Sequence, residues 1–480
     1  MAGDLQTPKQ TSYYVHTLIY FAILGISFLL PPLAPLTAMG VKVLGIFVAT
    51  VYGWTTCGLV WPSIVSLTAL SLTGYAALPA LFMEGFGHQI TLFTFFMFII
   101  VGIIDQSGLS KYIANSILKL KISNGRPWVL FVVFIVASYV VGTFAALGAT
   151  LICWNIFYNI AKEVGYTKKD KFPKLIILGI ALSSTISQTL LPFQIGPILF
   201  FGMLKDLMGI SINVGAYMLF TFAFHVVIIG LYFAYCKFIV RPDCALLKDF
   251  KTESIPDMKL DAYQKRVGVL FIAFILALLL PSFLPKGWAV TQILTGFGSP
   301  GICALFVALA AAMRFRSKPF IKVADAIYGG VQWEVVFLFT CVFPLSSALT
   351  ADVTGVKVFL NELLGPLLTG RGTFLFSVLL LLFALIVTNF TINIVTGLMV
   401  MPIMAALVGS VGANPAVITA LLITTITVAF LTPAASPAGA VTYGNAEWLT
   451  PKEVLLFAVQ VILITTIAIA LFIPLGDLFF

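Results

Sequence analysis

Four stretches of this chain place polar residues where a membrane helix would not want them. The densest pair lies between Leu385 and Asn445. LIVTNFTINIVTGLMVMP carries Thr388, Asn389, Thr391 and Asn393, and VAFLTPAASPAGAVTYGN carries Thr432, Pro433, Ser436, Pro437 and Gly439. The other two are VVGTFAALGATLICWN at 140–155 and SSTISQTLLPFQIGP at 183–197. All four sit inside apolar runs. Non-helical backbone at membrane depth survives only where protein buries it or a wet cavity meets it. Opened helix ends can bind ions. Carbonyls with Thr and Asn oxygens suit a hard cation, and amides at a positive helix N-terminus suit an anion. No Arg, Lys, Asp or Glu falls in any of the four breaks, so a charged ligand there is held by neutral dipoles.

The elements that must position these breaks are membrane helices. The 480 residues are 60% hydrophobic and 9% charged, with mean hydropathy +1.09. A soluble domain carries roughly 25% charged residues. Apolar runs near ~20 residues exclude a β-barrel. Composition therefore predicts an all-α polytopic membrane protein with about eleven transmembrane helices plus two re-entrant hairpins. The net charge of +9 reflects orientation in the bilayer rather than a nucleic-acid partner. Met1–Gln10 is polar and the first apolar run is long, so no cleavable signal peptide is expected. The six scattered cysteines show no CxxC or metal-ligand spacing and read as reduced packing residues.

A polar segment at 241–266 divides the chain nearly in half and reads as a cytoplasmic linker. Residues 1–240 form a first repeat, with a hairpin at about 127–161 and a broken helix at about 173–204. Residues 267–480 form a second, with a hairpin at about 373–410 and a broken helix at about 417–443. Each half also has a short amphipathic segment before its hairpin, GLSKYIANSILKL and GVKVFLNELLGPLL. With a cytoplasmic N-terminus in the cell membrane, Lys111, Lys119, Lys121, Arg126, the 162–174 lysines, the linker and Arg314–Lys322 fall inside. Only Lys42, Lys205, Lys286, Lys357 and Arg371 fall outside. The two amphipathic segments then lie on opposite sides, the signature of an inverted repeat.

Other classes lack their machinery. An intramembrane enzyme needs an Asp pair, a Ser/His pair or clustered metal ligands. The three histidines, His16, His88 and His225, are far apart, and His225 reads as a hydrogen-bonded packing residue. No P-loop is present. A channel needs a continuous polar pore, whereas four distinct breaks in an inverted repeat favour alternating access.

The motifs resemble those of the divalent anion/sodium symporters, which carry dicarboxylates, citrate or sulfate. TPAASPAGAVTYG is similar to the family's LPVATPPNAIVFG, with Ser436–Pro437 at its Thr–Pro. TNFTINIVTGLMVMP resembles its hairpin motif, with Ile392–Asn393–Ile394 at the Ser-Asn-Thr place. GFGHQITLFTFFMFIIVGIIDQSGL and WEVVFLF also resemble family stretches, and the layout matches nearly the whole chain. The resemblance implies a homodimer in the bilayer, with a scaffold domain and a mobile, elevator-like transport domain that holds both hairpins. It implies a small anionic substrate, of di- or tricarboxylate type, at Thr150, Gln194, Asn393, Ser436 and Pro437. It implies a monovalent cation, sodium, at Thr388, Thr391, Asn393 and Ala435, and no cofactor.

The departures are chemical. In the first half Gly148–Ala149–Thr150 lacks the Asn, and Gln194–Ile195–Gly196–Pro197 replaces Thr-Pro-Pro-Asn. In the second, Ala438 and Gly439 replace Pro and Asn. One cation site at most is expected, in the second half. Sodium-independent exchange of two anions is the alternative.

Overall fold

The computed structural model describes residues 10–248, 250, 258–285, 287–316, 318–359, 362–363, 372–433 and 435–480. Part of the expected linker, 251–257, and half of the second amphipathic segment lie outside the described residues, as do Lys286, Arg371 and Ala434. Among the described residues the chain is all-α apart from one pair of two-residue strands, Arg314–Phe315 with Lys318–Pro319.

The helices are α1 Gln10–Leu29, α2 Ala38–Thr56, α3 Val60–Leu72, α4 Leu78–Phe86, α5 Gln89–Ser107, α6 Leu109–Leu118 and α7 Pro127–Glu163. Then come α8 Lys171–Ser187, α9 Ile195–Met208, α10 Val214–Ala234, α11 Ala262–Phe283, α12 Ala289–Ala312, α13 Val323–Gly330 and α14 Trp333–Thr350. The last five are α15 Gly372–Val387, α16 Asn393–Val411, α17 Pro415–Thr425, α18 Pro437–Gly444 and α19 Pro451–Gly476. Among the described residues, nine helices are long and apolar enough to cross a membrane, ten if the bent pair α4 and α5 is one span. The sequence suggests about eleven. The difference is physical: α3, α15 and α17 are apolar but short, and α7 is too long for one crossing.

Starts are marked by side chains that satisfy otherwise orphaned amides. Asp261 with Gln264 and Thr450 with Glu453 form capping boxes at α11 and α19, the latter with Pro451 as first helical residue. Thr37, Asn213 and Asn414 cap α2, α10 and α17.

Helix α7 doubles back on itself. Ala145 leaves helical geometry (φ −149°, ψ 79°). The rings of Phe134 and Phe157 then meet with centroids 5.2 Å apart. A straight helix at ~1.5 Å per residue would part them by about 34 Å. α15 and α16 form a second such pair, broken at 388–392. Their far ends approach, a Cβ added to Gly412 falling 4.0 Å from Thr373 Cγ2. α8 and α9 are separated by a gap at 188–194, and α17 and α18 by one at 426–436.

Packing sorts the helices into two groups. α1–α5 pack with α11–α14, and α7–α10 pack with α15–α19. The boundary between them is largely apolar, with Phe144 against Phe271 (5.0 Å between centroids) and Phe193 near Phe274 (6.4 Å). Among the described residues its one ion pair is His88 with Asp206, Nε2 to Oδ2 3.3 Å, the imidazole stacked on Phe343.

One sequence boundary moves. A span beginning at Ile302 is the reading from sequence, but α12 begins at Ala289. Gly298 (φ 63°, ψ 169°) leaves helical geometry and, with Pro300 just after it, divides α12 into two arms, the second of which holds the span read from Ile302. The amphipathic α6 buries Ala114, Asn115 and Leu118 against its neighbours, while Tyr112, Ile113 and Ile117 are only half-buried. Its surface stripe is therefore turned partly away from the packing.

Candidate functional site

The site is built where the hairpin tips meet the helix gaps. At the second tip, Thr388 is fully buried. Its hydroxyl lies 2.6 Å from Ile426 O in the α17–α18 gap and 3.1 Å from Asn393 Oδ1. Asn393 is half-buried and begins α16. The preceding Ile392 offers no side-chain cap, so the first amides of α16 face the gap unsatisfied by side chains. No partner exists for Asn393 Nδ2 among the described residues' hydrogen bonds.

The remaining expected cation residues divide. Thr391 turns to Thr396, hydroxyl to hydroxyl 2.6 Å, and back-bonds to Val387 O at 3.2 Å. Ala435 is buried, and its amide donates to Thr432 O at 3.3 Å. Thus the structure joins Thr388 and Asn393 but records no contact from Thr391 or Ala435 to that pair.

The expected substrate residues divide as well. Ser436 is buried and internally committed, donating to Ala429 O (2.6 Å) and capping α18 through Gly439 N (2.9 Å). Pro437, the first residue of α18, is exposed. In the first half, Thr150 is buried. Its hydroxyl lies 2.5 Å from Ser184 Oγ and back-bonds to Ala146 O at 3.0 Å. Gln194 is half-buried and ties its gap to the first hairpin, Nε2 donating to Thr143 O at 2.5 Å. It leaves α9 without a side-chain cap. Asn393 Nδ2 and Gln194 Oε1 therefore have no partner among the described hydrogen bonds, while Thr150 and Ser436 use their hydroxyls within the protein.

Close packing sets these positions. A Cβ on Gly142 would fall 2.4 Å from Ser187 Oγ and 2.8 Å from Ser184 Cα, so only glycine lets the first hairpin lie against α8. Gly397 in α16 does the same against the ring of Phe200 in α9.

Asn389 was legible as one of a polar cluster but not as the clamp it is. Its Nδ2 donates to Leu385 O (2.7 Å) and Val428 O (3.3 Å), and Oδ1 accepts from Leu431 N (2.9 Å). Thr432 Oγ1 donates to Asn389 O at 3.0 Å. The two halves meet also through Thr189 and Thr424, whose hydroxyls are 3.0 Å apart. His225 is fully buried and hydrogen-bonded, as the sequence suggests, and its partners are Tyr139, Thr189 and Thr424. An imidazole in an apolar run needs such partners, and that need was the available signal.

The sequence model of a family described as "Citrate transporter" matches residues 46–429. The sodium-dependent dicarboxylate transporter SdcS of Staphylococcus saprophyticus is 23% identical over 428 residues, covering 84% of this chain and 80% of that protein. SdcS of Staphylococcus aureus is 23% identical over 452 residues, covering 90% and 85%. Among solved structures, the Alcanivorax borkumensis YdaH transporter, reported to have an unusual topology, superposes with a TM-score of 0.59 at 12% identity. It covers 97% of this chain and 98% of its own. That likeness establishes the fold alone. With its apolar helices and a family match over well more than half its length, this multi-pass membrane protein is an anion transporter and not an enzyme, and the chain belongs to the citrate transporter family as a divergent member of the divalent anion/sodium symporters.

Proposed function

We propose that this protein moves a small di- or tricarboxylate-type anion across the cell membrane together with a monovalent cation such as sodium, by elevator-like alternating access. The observation that carries this is the junction of Thr388 with Ile426 O and Asn393 Oδ1. A hydroxyl has one proton. The shorter bond, to Ile426 O, takes it, which leaves Thr388 Oγ1 and Asn393 Oδ1 facing each other as two acceptors. A cation resolves that conflict, since it wants oxygens only. With no cation, turning the amide over does so, with Nδ2 donating instead.

This gives coupling a physical basis. With a cation held by the oxygens, Asn393 Oδ1 points to the ion and Nδ2 points away, free to donate to a carboxylate. The uncapped start of α16 adds its positive end to the same place. Gln194, at the uncapped start of α9, is the partner from the first half. Relatives named as sodium-dependent dicarboxylate transporters support the ion and the substrate class.

The remaining architecture follows the same reading. Two inverted repeats are supported by matched orders in the two halves. The short-long pair α4 and α5 answers α13 and α14, and each precedes a doubled-back helix and a broken one. The mobile unit is α7–α10 with α15–α19, and the scaffold, α1–α5 with α11–α14, holds a homodimer. The charge asymmetry supports a cytoplasmic N-terminus.

One observation favours a second reading, sodium-independent anion exchange. Thr150, the one expected oxygen of a first-half cation site, is spent on Ser184 and Ala146. Uptake into proteoliposomes at fixed citrate or succinate, titrated with sodium, tests both. One-ion dependence supports the proposal, a slope needing two or more ions rejects the single site, and undiminished counterflow in potassium alone selects the exchanger.

A further inference from the structure

His225 in α10 is fully buried, and it is bonded on both sides. Nδ1 lies 2.8 Å from the Tyr139 hydroxyl on the first arm of α7. Nε2 lies 3.0 Å from Thr424 Oγ1, in the last turn of α17, and 3.2 Å from Thr189 Oγ1, in the α8–α9 gap. One ring thus touches the first hairpin, the first gap and the helix leading into the second gap.

Counting protons fixes the direction of these bonds. The Thr189 hydroxyl donates to Ile186 O at 2.8 Å, so toward the others it can only accept. The Tyr139 hydroxyl has no second partner among the described hydrogen bonds, so it donates to Nδ1. Nε2 then carries the ring proton and gives it to the two threonines, and Thr424 donates to Thr189. Every proton is placed, the ring proton being shared between the two threonines. The opposite tautomer would leave the tyrosine proton unplaced. All partners are neutral hydroxyls, so the network has direction without charge. Tyr217 adds a bond from its hydroxyl to Thr189 O, which holds the gap backbone to the same helix as His225.

We propose that His225 is a positioning residue that sets the two helix gaps against each other and so fixes the spacing of the anion cradle. It acts through Thr189 and Thr424 and does not touch the substrate. The proposal rests on the reading that the gaps form the cradle. Without the ring, Thr189 keeps its bond to Ile186 O, and the one Thr424–Thr189 hydroxyl bond is left to tie the two segments, with no fixed donor holding both threonines to α10 and the first hairpin. The cradle then samples more than one width. Binding weakens, while the rate at which a loaded carrier crosses changes little.

The test uses the full-length protein purified and reconstituted, as wild type, His225→Leu, His225→Gln and Thr424→Val. His225→Leu removes all three ring bonds, and His225→Gln keeps a donor toward Thr189 and Thr424. Hydrogen–deuterium exchange read by mass spectrometry is expected to rise in His225→Leu at 188–194 and 426–436 and to return toward wild type in His225→Gln. Uptake of citrate and of succinate is expected to show KM raised about tenfold in His225→Leu and Thr424→Val, with maximal rate nearly kept. Exchange that rises evenly along the chain, or a fall in maximal rate at unchanged KM, overturns the proposal. If wild type carries neither probe, the functional reading fails, and the local exchange pattern still decides the role of His225.

Discussion

Asn389 Oδ1 accepts the Leu431 amide proton at 2.9 Å, so a side chain at the second hairpin tip replaces the backbone partner that the broken helix has lost. Its Nδ2 reaches Val428 O across the same gap. The gap can stay non-helical at membrane depth because side chains satisfy it, Asn389 at Val428 and Leu431, Thr388 at Ile426 O and Ser436 at Ala429 O. Asn389→Leu keeps the volume and strands the groups at Val428 and Leu431. Each buried unsatisfied group costs ~1–3 kcal/mol. The melting temperature in detergent should therefore fall by several degrees and uptake should be lost with it. An unchanged melting curve would show that the gap needs no clamp.

Thr388 and Asn393 should behave differently from Asn389 if, as proposed, their polar groups serve ligands. Thr388→Val removes the oxygen shared with Ile426 and Asn393. It should raise the sodium concentration for half-maximal uptake while leaving saturating-sodium uptake measurable. Asn393→Ala removes the oxygen for the cation and the nitrogen for the anion, so it should abolish uptake with the folded yield unchanged. Near-normal uptake in Asn393→Ala rejects the assignment.

What the sequence exposes and what it hides follow from the same physics. Thr388–Asn393 and Thr432–Gly439 stand out because polar and helix-breaking residues conflict with apolar surroundings, and such conflict is visible in one dimension. The turning point of α7 is harder to see. A hairpin at 127–161 is read from the break at 140–155, but the turn itself falls on Ala145, a good helix former, and its place is fixed only by the structure. The nine-residue α4 and eight-residue α13 escape because their apolar runs are too short to read as spans. Which polar residue binds and which braces is not legible at all. Thr150 and Thr388 look alike in sequence, yet one hydroxyl ends on Ser184 and the other bridges a hairpin to a gap. That difference lies in long-range partners, as does the joining of Thr189 to Thr424 across 235 positions.

Two glycines near the first tip offer a contrast. At Gly142 an added Cβ would lie 2.8 Å from Ser184 Cα and 2.9 Å from Ser184 O, backbone atoms that cannot step aside. At Gly148 the nearest atom is Ala145 Cβ at 3.6 Å, an ordinary contact. Gly142→Ala should cost ~1–3 kcal/mol through overpacking, and Gly148→Ala should melt like wild type. Thermal unfolding of the two variants side by side checks this. Equal melting temperatures would mean that the hairpin does not lie against α8 as described.

His88 and Asp206 provide the sharpest test of relative motion. The first sits between α4 and α5 with its ring on Phe343, and the second is on α9, beyond the first gap. Their 3.3 Å contact crosses the largely apolar boundary between the two groups of helices. An apolar boundary with few directional bonds can slide, because no array of hydrogen bonds must break together. If α7–α10 and α15–α19 move as one body against the rest, this contact exists at one end of the stroke only. The double variant His88→Cys and Asp206→Cys, made in a background with the six native cysteines replaced, should transport when reduced. Oxidation should then stop uptake, and reduction should restore it. Each single-cysteine variant should be indifferent to oxidant. Continued transport by fully cross-linked protein would sink the elevator, because a disulfide across the boundary forbids the stroke while leaving motions within either group of helices intact.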